Sequence, residues 1–394
     1  MLNPEMHQPS SDLLPPTEDR RIAVLFIIPS LGAGGAERVT ITLLRNLDRT
    51  RFRPMLCVLT QSKRGFRDEV PADVEVFDLH ASRVLSALPR IARLVWRTRP
   101  DVLFSQLSHL NLALAMIRPL LPRRLALIGR ESSIVSETVN AYRSPALWRW
   151  CYRRFYRRLD RVVCQSRRMR ADLVEQFSLP IERTVLVNNP IDTERVRKLA
   201  GEHLRCGERD DGVRSLQLVA CGRLSHEKGY DLLLQAVSEF DAGQVHLTIV
   251  GDGSLMSSLV NQATLLGIAE QVDFVGFQTN PYPYLARADW FVLSSRFEGF
   301  PNVVLEALAC GTPVIATPAI GGVSEAFEGV EGCMLLEEIS AQALRRAIGE
   351  AIKQPPHRID YRNSTRRYQV ATVMDAFEGL FAAAAQQFGR AVGK

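Results

Sequence analysis

Residues 294–317 read SSRFEGFPNVVLEALACGTPVIAT. Two carboxylates, Glu298 and Glu306, stand eight residues apart across a Gly-Phe-Pro-Asn turn. Asn302 is the expected N-cap of a helix of about nine residues, and Gly311 its stop. A β-rich run, Pro313 to Thr317, follows. On this reading Glu298 lies in the loop before the helix and Glu306 about one turn inside it. The first-turn amides of Asn302, Val303 and Val304 fall between them. Such a terminus favours an anion by about 0.3–2 kcal/mol. Two carboxylates beside it would repel a phosphate, so they are expected to face neutral hydroxyls. A diphosphate carrying ribose at one end and a sugar ring at the other has that chemistry.

Upstream, LQLVACGRLSHEKGYDLLLQAV (216–237) reads as strand, loop and helix, with Arg223 and Lys228 on the loop beside Gly222 and Gly229. An arginine fork and a lysine point charge five residues apart suit a diphosphate. Each charge-assisted hydrogen bond contributes roughly 1.5–3 kcal/mol. The first half opens the same way. RIAVLFIIPS (21–30) is an apolar run of strand length, and LGAGGAERVTITLLRNL (31–47) passes from glycines to helical spacing. Gly32, Gly34 and Gly35 lack the third glycine of a dinucleotide fingerprint, so the alternatives are a plain tight turn and an anion loop. Further strand-like runs begin at Arg53, Val74, Asp101 and Leu125, the run from Arg161 reads as the last strand of this half, and Leu85 to Arg97 is a basic amphipathic helix. Strands alternating with helices predict parallel, Rossmann-like sheets that bind ligands beyond their strand C-termini.

Taken together, these motifs resemble the Glu-x7-Glu signature of family 4 glycosyltransferases, retaining enzymes of the GT-B fold. The Gly-Arg-x4-Lys-Gly loop at 222–229, the Gly-Gly-x-Glu loop at 34–37, the Asn-x-x-Asp at 189–192 and Gly321-Gly322 with Glu325 match other elements of that family. The resemblance implies an α/β architecture of two facing Rossmann-like domains with an interdomain cleft. Residues 21–195 would bind the acceptor, 196–214 would link, and 215–365 would bind a nucleotide-sugar. A final helix in 366–394 would pack back on the first domain. The donor is implied to meet Gly35, Gly222, Gly276, Phe277, Phe300, Asn302, Val303, Val304 and Glu306, with Glu306 on the ribose. Glu298, Arg223 and Lys228 are implied to act on the donor sugar and the leaving diphosphate. Many members carry a histidine where this chain has Gly129-Arg130-Glu131, so that role does not transfer. Arg130 becomes a candidate for an acceptor phosphate, and His109 or Glu131 for hydroxyl activation; a helix-capping or packed His109 is the alternative. Phe300-Pro-Asn leans toward UDP-linked sugars and toward bacterial capsule, exopolysaccharide or glycan assembly. A nucleotide-sugar epimerase or hydrolase of the same fold, and a non-catalytic membrane-associated protein, are the rival readings.

Charge is polarised along the chain. Residues 81–170 hold nineteen arginines, no lysine and four acids, a balance of +15, against +6 for all 394 residues. That predicts one basic face. Within it, ALWRWCYRRFYRRLDRVV (146–163) interleaves arginines with aromatics. Helical spacing puts Trp148, Tyr152, Phe155 and Leu159 on one side. A core helix with a solvated arginine face, a nucleic-acid surface and an anionic membrane surface all suit this pattern; a lipid-linked acceptor favours the membrane. No Asp-x-Asp triplet occurs, so no metal or other cofactor is expected. Seven scattered cysteines without C-x-x-C fit reduced thiols in the cytoplasm. Residues 1–20 are polar, proline-rich and expected to be disordered.

Overall fold

The apolar runs assemble into two parallel sheets. The computed structural model describes residues 21–32, 34–60, 65–201, 215–353, 361 and 364–388. The tail at 1–20 lies outside them, as does 202–214 of the expected linker. In the first sheet β1 (Ile22–Ile28), β2 (Phe52–Val58), β3 (Glu75–Asp78), β4 (Val102–Gln106), β5 (Ala126–Arg130), β6 (Arg161–Cys164) and β7 (Thr184–Leu186) run in the order β3-β2-β1-β4-β5-β6-β7. The second half contributes β8 (Leu216–Cys221), β9 (Val245–Val250), β10 (Val272–Gly276), β11 (Trp290–Leu293), β12 (Phe297–Glu298), β13 (Val314–Ala316), β14 (Ile320–Gly321) and β15 (Met334–Leu335). Six of these form a second sheet, β10-β9-β8-β11-β13-β15, while β12 pairs with β14 alone. Helices on both faces bury the central strands, which is why β1 reads as an unbroken apolar run. Strand order reverses between β1 and β4, and again between β8 and β11. The glycine loops after β1 and β8 therefore sit at switch points, where a parallel sheet opens a crevice beyond its strand ends.

Three local readings need correction. Arg161–Cys164 is not the last strand of the first domain: β7 follows it, and three residues carry too little alternation to register as a strand. The expected linker begins inside a helix, Thr193–Ala200, capped by Asp192, whose side chain accepts from Arg195 N–H at 2.9 Å. The aromatic-arginine helix runs Pro145–Phe155 and then tightens into a 3-10 turn, Tyr156–Arg158. The change of pitch puts Tyr156 rather than Phe155 beside Tyr152 and Leu159 in the core, and leaves Trp148 and Trp150 exposed.

The C-terminal helix Val370–Phe388 lies on the first domain, not the second. The chain returns there beside its outward crossing, with Ile191 N–H donating to Tyr368 O at 2.7 Å. Phe381 packs edge-on against Phe26, Phe52 and Phe104 at centroid distances of 6.0, 6.4 and 5.3 Å. Truncating a buried Phe costs about 3–5 kcal/mol. Phe381→Ala is therefore expected to lower the urea midpoint of the first domain. Three of the four tryptophans lie there, so fluorescence follows it.

Candidate active site

The cleft between the domains is built from the ends of β1, β8 and β11 and the helix Asn302–Ala309. After β8, Gly222 turns the chain into the Arg223–Lys228 loop. A 3-10 turn, His226–Lys228, ends at Gly229 with φ 63°. A Cβ on Gly229 would stand 2.1 Å from Ser294 O, so only glycine fits. The loop is pinned to the β11 end by Ser294 Oγ on Lys228 O at 2.9 Å, Arg296 N–H on Glu227 O at 2.7 Å, and a bidentate Arg296–Asp231 pair. That anchoring sets Lys228 Nζ 2.6 Å from Glu298 Oε1. Ser295 Oγ donates to the same oxygen at 2.6 Å. Glu298 is 9% exposed, and its other oxygen has no hydrogen-bond partner among the described residues. Next along the chain, a Cβ on Gly299 would lie 2.2 Å from Ser132 O of the first domain. The domains thus meet backbone to backbone beside Glu298.

Asn302 is not the N-cap. Pro301 holds that position, and Asn302 is the first helical residue. Its Oδ1 instead accepts from Asn189 Nδ2, across the cleft, at 2.5 Å. Of the three first-turn amides, Asn302 N–H donates to Phe300 O and Val304 N–H to Pro301 O, both at 3.0 Å. Val303 N–H has no backbone acceptor among the described residues, so one first-turn amide, rather than three, is left without a backbone partner. The side chain of Val304 is in the core, and Phe300 packs on Tyr368 at 5.3 Å.

One turn on, Glu306 is 8% exposed and meets Arg38 of the first domain, with Nη1 2.8 Å from Oε1. The same Nη1 lies 2.7 Å from Tyr282 Oη. Burial opposes the Arg38 charge, but Glu306 and Tyr282 outweigh it and hold the guanidinium firmly protonated. Cys221, at the end of β8, feels Glu306, Arg38 and Lys228 together, and burial pushes its thiol up to about 12. From the glycine loop after β1, Gly35 faces Asn302: a Cβ there would stand 3.2 Å from Asn302 Nδ2. Glu37 faces exposed Arg223; burial raises its carboxyl and Arg223 pulls it back. Cys221 is thus near both Glu306 and Lys228, and Glu37 near Arg223. The cavity lined by Glu306 also takes Arg38, Asp192, Tyr282 and Asn302, and Lys228, Glu298 and Arg223 are not among its lining residues. Gly276, with φ 71°, and half-buried Phe277 lie at the end of β10.

Arg130 and Glu131 are placed otherwise than the sequence indicates. Arg130 is 1% exposed and Glu131 fully buried, so neither reaches an acceptor in this conformation. Glu131 accepts from Ser108 Oγ, Tyr156 Oη and Asn111 Nδ2, the last at 2.8 Å; burial raises its carboxyl. Arg130 donates to Gln106 Oε1 at 2.6 Å and to Asn189 Oδ1. Burial pushes its guanidinium down to about 9, with Glu131 working against that. Arg130 thus holds Asn189, whose amide nitrogen reaches Asn302. His109 is exposed on the first turn of the helix Ser108–Ile117, where desolvation lowers its pKa and favours the neutral ring. Among the described residues no cluster of three His, Cys, Asp or Glu could hold a metal ion.

Sequence reasoning missed Arg38, Tyr282, Asn189 and Ser295 as parts of the site. Arg38 carried a signal as a charge directly after the Gly-Gly-Ala-Glu loop, Asn189 as the first residue of the Asn-x-x-Asp match, and Ser295 as a member of the 294–317 stretch; Tyr282 carried none.

Comparison with known proteins places the fold and the family. Residues 33–195 match Glycosyltransferase Family 4, and residues 213–368 match Glycosyl transferases group 1. The chain is 28% identical to the N-acetylgalactosamine-N,N'-diacetylbacillosaminyl-diphospho-undecaprenol 4-alpha-N-acetylgalactosaminyltransferase of Campylobacter jejuni, over 86% of this chain and 93% of that one. It is 27% identical to the lipopolysaccharide core biosynthesis glycosyltransferase LpsE of Rhizobium meliloti, over 81% and 86%. Among solved structures, Anabaena HepE in complex with UDP and glucose superposes with a TM-score of 0.73 at 22% identity, over 92% of this chain and all of that one. WaaG, a glycosyltransferase involved in lipopolysaccharide biosynthesis, gives 0.69 at 16%, over 93% and 99%. Two family matches that together span both sheets, with the switch-point loops and paired glutamates inside them, make this chain a member of the family 4 glycosyltransferases, built on the GT-B fold.

Proposed function

We propose that this glycosyltransferase moves a hexose or N-acetylhexosamine from a UDP-sugar to a lipid-linked glycan, with retention of anomeric configuration and without a metal. The observation that carries the reading is the Lys228–Glu298 pair at 2.6 Å, set beside Glu306 and the Asn302 helix. The lysine and Arg223 offset the charge of the leaving diphosphate, the electrostatic contribution such chemistry most needs. The free oxygen of Glu298 takes a sugar hydroxyl, and Glu306 takes the ribose. Glu298 Oε1 is already taken by Lys228 and Ser295, and the role assigned to Glu298 is to position the sugar, not to bond to it covalently. The UDP held by the Anabaena neighbour and the diphospho-undecaprenol acceptor named for the Campylobacter relative support the choice of donor and acceptor. The test is transfer from UDP-, GDP- and ADP-sugars to polyprenyl-diphosphate-linked acceptors, with and without EDTA. Turnover only from UDP-sugars, unaffected by EDTA, is expected. Sugar release or epimerisation without acceptor would instead favour the hydrolase or epimerase reading.

Contact with an anionic membrane on the cytoplasmic side belongs to the same proposal. No described helix is long and apolar enough to cross a membrane. Leu85, Trp96, Leu120, Leu147 and Trp150 are each more than half exposed on the +15 segment. Trp96 Nε1 donates to Leu120 O at 3.0 Å, which ties two of the apolar points together. Some arginines there are partly engaged: Arg153 donates to Gln176 O, and Arg158 to Met116 O. Each Arg near an anionic surface adds roughly 1 kcal/mol. Cosedimentation with phosphatidylglycerol vesicles at low salt, weakening as salt rises, is expected. A protein that ignores such vesicles uses this face for something else.

A further inference from the structure

Arg38 comes from the acceptor-side domain, yet it grips a carboxylate of the donor side. Its guanidinium is confined on two flanks, 5.3 Å from the Phe66 ring centroid and 5.4 Å from that of Tyr282. It contacts only Oε1 of Glu306; Oε2 has no hydrogen-bond partner among the described residues. Glu306 and Asn302 are four residues apart, hence on one face of their helix. Both are held from the first domain, Asn302 by Asn189 and Glu306 by Arg38.

We infer that Arg38 is a positioning residue for donor recognition: it fixes one oxygen of Glu306 across the cleft and turns the other toward the vicinal hydroxyls of the donor ribose. The inference rests on the proposed role of Glu306 and goes beyond it by assigning part of donor selectivity to the domain that binds the acceptor. Without Arg38 the carboxylate swings between rotamers, and a ribose hydroxyl meets a mobile acceptor instead of a fixed one. Closing the cleft and aiming the ribose-binding oxygen become one event. Donor affinity then depends on a side chain of the first domain as well as on the second.

The test compares UDP with 2′-deoxy-UDP by calorimetry on the full-length chain, in wild type, Arg38→Ala and Arg38→Lys. Wild type is expected to prefer UDP by about tenfold, as for one charge-assisted hydrogen bond. Arg38→Ala should bring the two ligands within about twofold of each other. Arg38→Lys, which keeps the charge and provides a second folded variant, should recover part of the preference. A purely structural role would weaken both ligands alike. An Arg38→Ala chain that keeps the full preference overturns the inference alone. A wild type that binds UDP without preferring it, or does not bind UDP, overturns the reading of Glu306 and the inference together.

Discussion

Lys228→Ala is expected to lower kcat/KM for transfer by two to three orders of magnitude while the protein still folds. Two losses combine. The ammonium no longer offsets charge on the leaving diphosphate, and Glu298 keeps only Ser295 on its paired oxygen. A charge-assisted hydrogen bond is worth roughly 1.5–3 kcal/mol, and an electrostatic donor acting on developing charge about 2.7–4 kcal/mol. Either range corresponds to tens to hundreds in rate, and both act on the same step. The fold should survive because the loop is held by other bonds: Ser294 to the backbone of residue 228, and Arg296 to Asp231. Circular dichroism checks the fold, and steady-state kinetics with a UDP-sugar checks the loss. Wild-type turnover in the variant would remove Lys228 from the mechanism.

Glu306→Ala should be comparably inactive and also less stable, which sets it apart. The variant leaves Arg38 pressed against aromatic rings with Tyr282 as its one remaining hydrogen-bond partner among the described residues. Removing one member of a buried ion pair costs about 3–5 kcal/mol; with a quarter of the Arg38 side chain exposed, the lower end applies. Glu306→Gln keeps an oxygen for Arg38 and removes the negative charge. It should retain more stability than the alanine variant but lose donor affinity. Melting curves and donor KM for the pair separate the structural from the recognition role. Equal KM values for Gln and wild type would argue against a carboxylate on the ribose.

The alternation of apolar runs and glycine turns was enough to read two parallel sheets, because buried parallel strands leave an unbroken apolar signature. Loops at the strand ends were legible for the same reason: Gly222 to Gly229 and Glu298 to Glu306 are local patterns with fixed spacing. Pairings across the cleft were not. Arg38 and Glu306 are 268 residues apart, and nothing in the chain announces that they meet. Arg130 and Glu131 were misread because a charged pair at a strand end looks like a solvent-facing site. Here Gln106, Asn189, Ser108, Asn111 and Tyr156 supply enough hydrogen bonds to bury both. Asn302 was misread as a cap because local propensity favours Asn there, while Asn189, 113 residues away, takes its side chain instead.

The aromatic cluster under Phe26 and Phe104 is finished by Phe377 and Phe381, from the far end of the polypeptide. At a ribosomal pace of about 5–20 residues per second, roughly 20–70 s separate the emergence of these two halves. During that interval the first-made half presents a sticky, unfinished surface to the cell. Nascent chains of this enzyme should therefore lean on chaperones until the helix Val370–Phe388 is translated, and a stop codon just before Val370 would cripple the half made first.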